Sequence, residues 1–109
     1  MLSSNSILSS EDPIIVLQGE SWHEGIIGII ASRIKDIFNK PTIIISLKGD
    51  IGKASARSIS GFDIGSVILS ALQDNLLLKG GGHKMAGGFS IDLKKIEDFK
   101  KYIYKKYRK

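Results

Sequence analysis

Residues 80–88 read GGGHKMAGG, and this stretch decides how the rest of the chain is interpreted, because five of its nine residues are glycine. Glycine reaches positive φ at low cost and lets another group approach the backbone closely. Successive exposed backbone N–H groups form a concave site for anions, and a neighbouring histidine can donate to a phosphate or transfer a proton. The stretch therefore predicts a phosphate-contacting loop around Gly81, Gly82 and His83. The alternative is a plain glycine-rich turn between two elements, with His83 simply exposed or packed.

The length and composition are those of one globular domain. The chain has 109 residues, of which 42% are hydrophobic and 25% charged, and it contains no cysteine and two histidines. Disulfides and thiolate metal sites are therefore excluded, and a complete metal site within this chain is not expected. No apolar run approaches the length of a membrane span, and the first residues lack the pattern of a signal peptide. We therefore expect a cytoplasmic protein with no membrane partner.

The positive charge is concentrated at the C-terminal end. Residues 94–109 contain eight Lys or Arg and two acidic residues, whereas the whole chain has a formal net charge of +5. A basic segment of this kind attracts nucleic acid electrostatically. It is equally typical of the solvated face of a helix, and both interpretations stay open from the sequence.

The first half of the chain predicts a strand, a helix and a second strand. Residues 1–12 are polar and serine-rich and predict a flexible lead-in, which places the folded domain at residues 13–109. A β-branched run at residues 14–19 predicts a strand buried on both faces, and residues 42–47 predict another. The helix between them is predicted at residues 26–39, which makes this a βαβ unit. Its predicted apolar face consists of Ile26, Ile30, Ile34, Ile37 and Phe38, and Ile27 and Ile29 widen it.

The second half predicts a third strand, a helix, a fourth strand and a final helix. The third strand, at residues 51–59, carries alternate polar side chains, which fit a sheet edge or a ligand-facing side better than a core. Asp63 is the predicted N-cap of the next helix. Residues 88–92 predict a strand, and residues 93–107 predict a helix with Ile96, Phe99, Ile103 and Tyr107 on one face. The predicted fold class is α/β, with a mixed central sheet of four or five strands and packed helices.

Two further polar patches are candidates for a site. His23 lies between the first predicted strand and the helix that follows it. Ligands bind at strand ends of this kind in open α/β sheets. The alternative is a local hydrogen-bonding role. Lys53, Ser55 and Arg57 share one strand face, and Arg and Ser together suit a phosphate; the alternative is a solvated edge strand. These patches meet the Gly-His stretch only if the order of the strands brings them to one end of the sheet.

Three segments resemble the RecJ-type single-stranded-DNA exonucleases in order and spacing. Residues 22–33, WHEGIIGIIASR, resemble the family pattern WHxGVIGIVASR. Residues 52–63, GKASARSISGFD, are similar to GKGSGRSIPGFD, and residues 77–88, LLKGGGHKMAGG, are similar to LLKxGGHxMAAG. Ala54 and Ala56 stand where the family often has glycine, and Ser60 replaces a common proline. The chain is therefore identified as a member of the DHH-associated domains, which accompany a metal-binding DHH catalytic domain.

The resemblance implies how the domain works. Manganese or magnesium is expected in the DHH catalytic domain, and none is expected to be bound by this chain, which has no Asp-His-His triplet. Single-stranded DNA and that catalytic domain are the implied partners. Ser55 and Arg57 would hold a phosphate near the 5′ end. Gly81, Gly82 and His83 would line the cleft near the scissile phosphate, with His83 the one candidate catalytic residue.

The implied function is to position DNA phosphate for a 5′-to-3′ exonuclease in DNA repair and recombination. His23 is expected near the scissile phosphate, and Lys53 is expected among the residues that bind phosphate. Two alternatives stay open, namely a DHH phosphodiesterase domain acting on short oligonucleotides or cyclic dinucleotides, and a non-catalytic nucleic-acid-binding module. The isolated chain is expected to be inactive as a nuclease. Because only 7% of the residues are aromatic, base stacking is expected to be a minor term beside salt-sensitive phosphate binding.

Overall fold

The fold is a five-stranded mixed sheet with helices on both faces. The computed structural model describes residues 13–20 and 22–107, with the backbone alone for 106 and 107, so the predicted lead-in lies outside the described residues. The elements are β1 (Ile15–Glu20), α1 (Glu24–Phe38), β2 (Thr42–Lys48), β3 (Ile51–Arg57), α2 (Ile64–Gln73), β4 (Lys79–Gly82), β5 (Ala86–Asp92), a 3₁₀ turn (Leu93–Lys95) and α3 (Ile96–Tyr107). The predicted fold class is confirmed.

The strand order is β1-β2-β3-β5-β4. β1 and β2 are parallel and are joined by α1, as a βαβ unit requires, and every other neighbouring pair is antiparallel. β3 therefore lies at the centre, paired on both sides, and the edge-strand interpretation of its polar pattern is wrong. β1 is itself an edge strand. Its first two residues, Ile15 and Val16, are buried, whereas Gln18 and Glu20 are exposed, so the prediction of burial along both faces is also wrong.

α1 buries only part of the predicted face: Ile30 and Ile34 are half-buried and pack against the core. Ile27 and Ala31 are buried and pack on Ile44 of β2, whereas the predicted face residues Ile26 and Ile37 are 47% and 72% exposed. Isoleucine occurs almost all around this helix, so its apolar pattern does not specify one face. The small side chain of Ala31 allows the helix to approach the sheet closely on that side.

The glycine-rich stretch forms a β-hairpin of β4 and β5, so the predicted loop is wrong except for the turn at residues 83–85. Within the described residues, the glycines with positive φ are Gly49 and Gly61. The hairpin glycines are needed for close approach instead. A Cβ placed on Gly82 would lie 2.5 Å from the carbonyl oxygen of Ala86, and one on Gly80 would lie 2.8 Å from the Cβ of Phe89.

The larger core lies between the sheet and the two later helices. Asp63 caps α2 as predicted, because its Oδ1 accepts from the backbone N–H of Ser66 at 3.1 Å. The predicted apolar residues of α3 are buried where described: Ile96, Phe99 and Ile103. That helix begins at Ile96 because residues 93–95 form a 3₁₀ turn capped by Asp92. In the part of the chain that is described, no helix is long and apolar enough to cross a membrane.

Candidate phosphate-binding site

Three rows of residues cross the sheet on the face that α1 partly covers. Residues paired across neighbouring strands point to the same face of a sheet, so the strand register defines these rows. The first row contains Ile15, Thr42, Arg57 and Ala86. The second contains Leu17, Ile44, Ser55, Gly88 and Gly81. The third contains Gly19, Ser46, Lys53, Ser90 and Lys79.

The side-chain chemistry and the exposure of these rows change between β2 and β3. α1 lies over β2 and β3: Ile27 and Ala31 pack on Ile44, which is fully buried, and Gly28 lies against Arg57 and Ser55. On β3, β5 and β4 the same face carries cations, hydroxyls and glycines, and these residues are half-buried or exposed except Ser90, which is buried. A cleft of about 460 Å³ lies on this open half. Its lining includes Glu24, Lys53, Ser55, Lys79, Gly88 and Ser90.

Arg57 is seated against α1 by a glycine. Its Nη1 donates to the carbonyl oxygen of Ala56 at 2.8 Å. A Cβ on Gly28 would lie 2.6 Å from Arg57 Nη2 and 3.6 Å from Ser55 Oγ, so any larger residue at position 28 would displace the guanidinium. No carboxylate lies within ion-pair distance of Arg57 among the described residues. Arg57 is therefore held in place with its charge available to an anion.

His83 begins the turn of the β4–β5 hairpin. Its backbone N–H donates to the carbonyl oxygen of Ala86 at 2.8 Å, and Ala86 pairs with Arg57, so both residues lie at the same end of the sheet. Its Nδ1 accepts from the N–H of Met85 at 3.3 Å. The neutral ring therefore carries its proton on Nε2, which can donate to an acceptor outside the hairpin.

Main-chain hydrogen bonds fix the turn on the rest of the domain. The N–H of Ile64, at the start of α2, donates to the carbonyl oxygen of Lys84 at 3.1 Å, and the N–H of Ser58 donates to that of Met85 at 2.8 Å. A Cβ on Gly65 would lie 2.9 Å from the carbonyl oxygen of His83. The turn is thus pressed against the first turn of α2.

Gly81 and Gly82 have different roles although they are adjacent. Gly82 is required by the hairpin, because a Cβ there would collide with the backbone of β5 at 2.5–2.6 Å. A Cβ on Gly81 would meet no atom within 4 Å. Gly81 lies in the row of Ser55 and Gly88. Packing does not explain a glycine at position 81, which leaves room for something outside the domain.

His23 lies at the other end of the sheet. It is the N-cap of α1, and its Nδ1 accepts from the N–H of Gly25 at 3.0 Å. It follows the end of β1, beyond the row of Gly19 and Lys53, whereas Arg57 lies four residues from Lys53, about 13 Å along β3 towards the other end of the sheet. The structure brings Lys53, Ser55 and Arg57 together with the hairpin and does not bring His23 to Arg57 and His83.

Four residues of this surface are not among the sequence candidates. Lys79 and Ser90 enter the cleft only because the register places them beside Lys53. Gly28 has a visible signal, since small residues on one side of α1 indicate close packing there. Glu24 lies in the first turn of α1 and lines the cleft.

A divalent-metal centre does not fit the residues present. Among the described residues, no group of three His, Cys, Asp or Glu side chains could hold a metal ion. The cleft supplies cations, hydroxyls and backbone groups, with Glu24 as its one carboxylate among the residues that line it. Such a donor set suits an anion, whereas magnesium and manganese require several oxygen ligands.

Fold and site together define a small mixed α/β domain with an open, cationic half of one sheet face. The sequence profile of the DHHA1 domain family matches residues 11–109, and the chain belongs to this family. It is 43% identical over 81 residues to the single-stranded-DNA-specific exonuclease RecJ of Salmonella typhimurium, covering 72% of this chain and 14% of that protein. The chain therefore spans a small part of the curated relatives that it matches.

Solved structures agree with this assignment. The crystal structure of RecJ from Thermus thermophilus in complex with Mg²⁺ superposes with a TM-score of 0.74 at 35% identity, covering 84% of this chain and 14% of that one. Another exonuclease RecJ structure, bound to manganese, gives a TM-score of 0.78 at 33% identity, covering 88% and 23%. The domain is a RecJ-type DHH-associated domain.

Proposed function

We propose that this domain binds single-stranded DNA and positions its phosphate for hydrolysis by a RecJ-type exonuclease acting in DNA repair and recombination. One observation carries the proposal: Lys53, Ser55 and Arg57 lie on the open half of the sheet, beside a floor of glycine. Side chains of this kind hold phosphates through charge-assisted hydrogen bonds. A bare floor lets the polymer backbone lie close to the sheet.

Each residue of the cleft has a distinct role in this proposal. Arg57 and Ser55 hold one phosphate, because the guanidinium and the hydroxyl converge beside Gly28. Lys53 and Lys79, at the other end of the cleft, neutralise the neighbouring phosphates. The Nε2–H of His83 donates to a phosphate oxygen at the hairpin end. Binding of this kind is independent of base sequence and weakens as salt rises.

The hydrolytic step belongs to a catalytic domain outside this chain. The divalent ions of that domain would activate the attacking water, and the residues described above would bind and orient the strand. We accordingly propose that the isolated 109-residue chain is not a nuclease. Incubation of the pure chain with a labelled single strand and manganese is expected to release no mononucleotide. Release that persists in the purified chain would contradict this.

A binding assay with two matched variants tests the proposed site. Arg57→Ala removes the charge-assisted contacts to phosphate, worth about 1.5–3 kcal/mol, so the affinity for a single strand of about 12 nucleotides should fall roughly 10- to 100-fold. Lys101→Ala removes one positive charge from the exposed side of α3, on the opposite face of the sheet. It should change affinity by less than about threefold. Equal losses for the two variants would overturn the proposal.

A non-catalytic nucleic-acid-binding module is the second candidate, and the lysines of α3 and of the 3₁₀ turn before it favour it. Lys94, Lys101 and Lys105 are exposed, and none of them forms an ion pair among the described side chains. If α3 were the binding surface, Lys101→Ala would weaken binding and Arg57→Ala would not. The same pair of variants therefore separates the two candidates.

A domain serving an enzyme for short oligonucleotides or cyclic dinucleotides is distinguished by substrate length. The affinity of the 109-residue chain for a long single strand should exceed its affinity for a dinucleotide if several phosphates contact the cleft. Equal affinities would favour the short-substrate alternative.

A further inference from the structure

A second cavity of the described structure lies outside the cleft. It has a volume of about 710 Å³ and is found where β1 and β2 end and α1 begins. Its lining includes Glu20, Trp22, His23, Glu24, Ser46, Lys48 and Leu93. The proposed phosphate contacts use none of these residues.

Trp22 is held flat against the backbone of β1 in this cavity. A Cβ on Gly19 would lie 2.6 Å from both Cε2 and Cζ2 of the indole and 3.0 Å from Cη2. Such similar distances to three consecutive ring atoms place Gly19 over the face of the ring rather than at its edge. The hydroxyl of Ser46 donates to the Trp22 carbonyl oxygen, which fixes the same residue to β2. The ring is half-buried and borders the cavity.

The charges around this cavity do not suit a phosphate. Glu20 and Glu24 face it together with Lys48 and His23, so negative and positive side chains are mixed. An aromatic surface with carboxylates beside it suits a neutral planar group that carries N–H donors. Nucleobases have such donors on cytosine and adenine, and carboxylates accept from them.

The cavity adjoins the cleft. Glu24 lines both, and one row of the sheet connects them. That row runs from Gly19, beneath Trp22, through Ser46 to Lys53 and Lys79 in the cleft. Ser55 lies two residues from Lys53 on β3, about 7 Å along the strand, and Gly19 lies two strands from Lys53 in that row, about 10 Å across the sheet. A nucleic-acid strand whose phosphate contacts Ser55 therefore has a neighbouring nucleotide within reach of Trp22.

We infer that Trp22 is a stacking platform for a base of the single strand whose phosphates occupy the cleft. This inference rests on the proposed function, because it takes the strand to be the ligand of β3. The phosphate site fixes the backbone, and the Trp22 cavity accepts one unstacked base beyond it. Stacking on an aromatic side chain tolerates any base, while Glu20 and Glu24 favour bases with an exocyclic amino group.

The fluorescence of Trp22 tests this directly, because it is the one tryptophan of the chain. The 109-residue chain is titrated with an oligodeoxycytidylate and with an abasic oligonucleotide of the same length and charge. Binding is followed independently by the anisotropy of a dye on the DNA. We expect the base-bearing strand to quench Trp22 and the abasic strand to bind without quenching it. In anisotropy, Trp22→Leu should weaken the base-bearing strand about tenfold and leave the abasic strand unchanged.

The outcomes separate this inference from the proposed function. Equal quenching by both strands, or none by either while Arg57→Ala still weakens binding, would overturn the stacking platform and leave the phosphate site intact. A strand that binds without any dependence on Arg57 would overturn the phosphate site, and the platform with it. The wild-type titration needs no variant, so a Trp22→Leu chain that does not fold leaves the test in place.

Discussion

The two halves of one sheet face use the same backbone for different purposes. Ile44 and Ser55 are direct neighbours in one row, yet Ile44 is fully buried under α1, whereas Ser55 lies in the open cleft. On the covered half, large apolar side chains fill the space beneath a helix. On the open half, the side chains shorten to serine and glycine, and only Lys and Arg extend beyond the sheet.

This difference identifies which residues are placed for stability and which for a ligand. A residue of the covered half acts through packing, so its loss lowers the free energy of unfolding. A small polar residue that lines the cleft, such as Ser55, fills little space, so its replacement leaves stability almost unchanged. Stability and binding should therefore separate along a single row.

The largest effect is expected for the matched pair Ile44→Ala and Ser55→Ala. Ile44→Ala leaves a cavity under α1 and should lower the free energy of unfolding by about 2–5 kcal/mol. Ser55→Ala should change it by less than about 0.5 kcal/mol while weakening DNA binding. Urea unfolding at constant m measures the first effect, and anisotropy measures the second. Comparable destabilisation by both would remove the distinction between the halves.

Gly82→Ala and Gly81→Ala provide a second pair within the hairpin. The Cβ at position 82 collides with the carbonyl oxygen of Ala86, and the cost should be about 1–3 kcal/mol. Gly81→Ala meets no atom of the domain and should keep stability within about 0.5 kcal/mol. Its methyl group should instead keep the DNA backbone away from the row that Gly81 shares with Ser55 and Gly88, which the same binding assay detects. Unchanged binding by Gly81→Ala would show that the ligand does not approach there.

Gly28→Ala tests whether α1 seats Arg57. Alanine in place of glycine within a helix should raise stability by up to about 1 kcal/mol, yet its Cβ displaces the guanidinium, so binding should weaken about tenfold, or ~1.4 kcal/mol. A double-mutant cycle is the control. In an Arg57→Ala background, Gly28→Ala should have no further effect on binding. A full additional loss in that background would show that Gly28 acts independently of Arg57.

The smallest effect is expected for Lys79→Gln. Removal of one phosphate contact should reduce the slope of log affinity against log salt by about 0.7 and weaken binding a few-fold at moderate salt. Lys101→Gln, on the other face of the sheet, is the matched control and should leave the slope unchanged. Affinity measured at four or five salt concentrations gives both slopes. If Lys101→Gln reduced the slope and Lys79→Gln did not, the DNA would bind the face of the sheet that carries α3.

Element types were largely predictable from the sequence, because hydrophobic period and capping residues are local signals. Asp63 identified the start of α2, and alternation on β3 correctly placed Lys53, Ser55 and Arg57 on one face. The buried face of α1 was not predictable, since isoleucines surround the helix. The hairpin was mistaken for a loop because a glycine that permits close approach and one that needs positive φ are identical in sequence.

The candidate site was predictable as a set of residues but not as an arrangement. His23 and His83 have the same local geometry, each accepting through Nδ1 from the N–H two residues later. Only the strand order separates them, since it places His83 beside the row of Arg57 and His23 at the opposite end. Strand order depends on contacts between distant residues, and local signals do not contain them.

The hairpin turn that begins at His83 has a consequence for how freely this sequence can change. Its attachment to Ser58, Ile64 and Ala86 uses main-chain N–H and carbonyl groups, which every residue except proline supplies. Substitution at these three positions therefore leaves the hydrogen bonds of the turn available, whereas Gly65 and Gly82 cannot gain a Cβ without meeting its backbone. The main-chain hydrogen bonds that position residue 83 do not depend on which side chain it carries. The surrounding sequence can therefore change while residue 83 keeps its position.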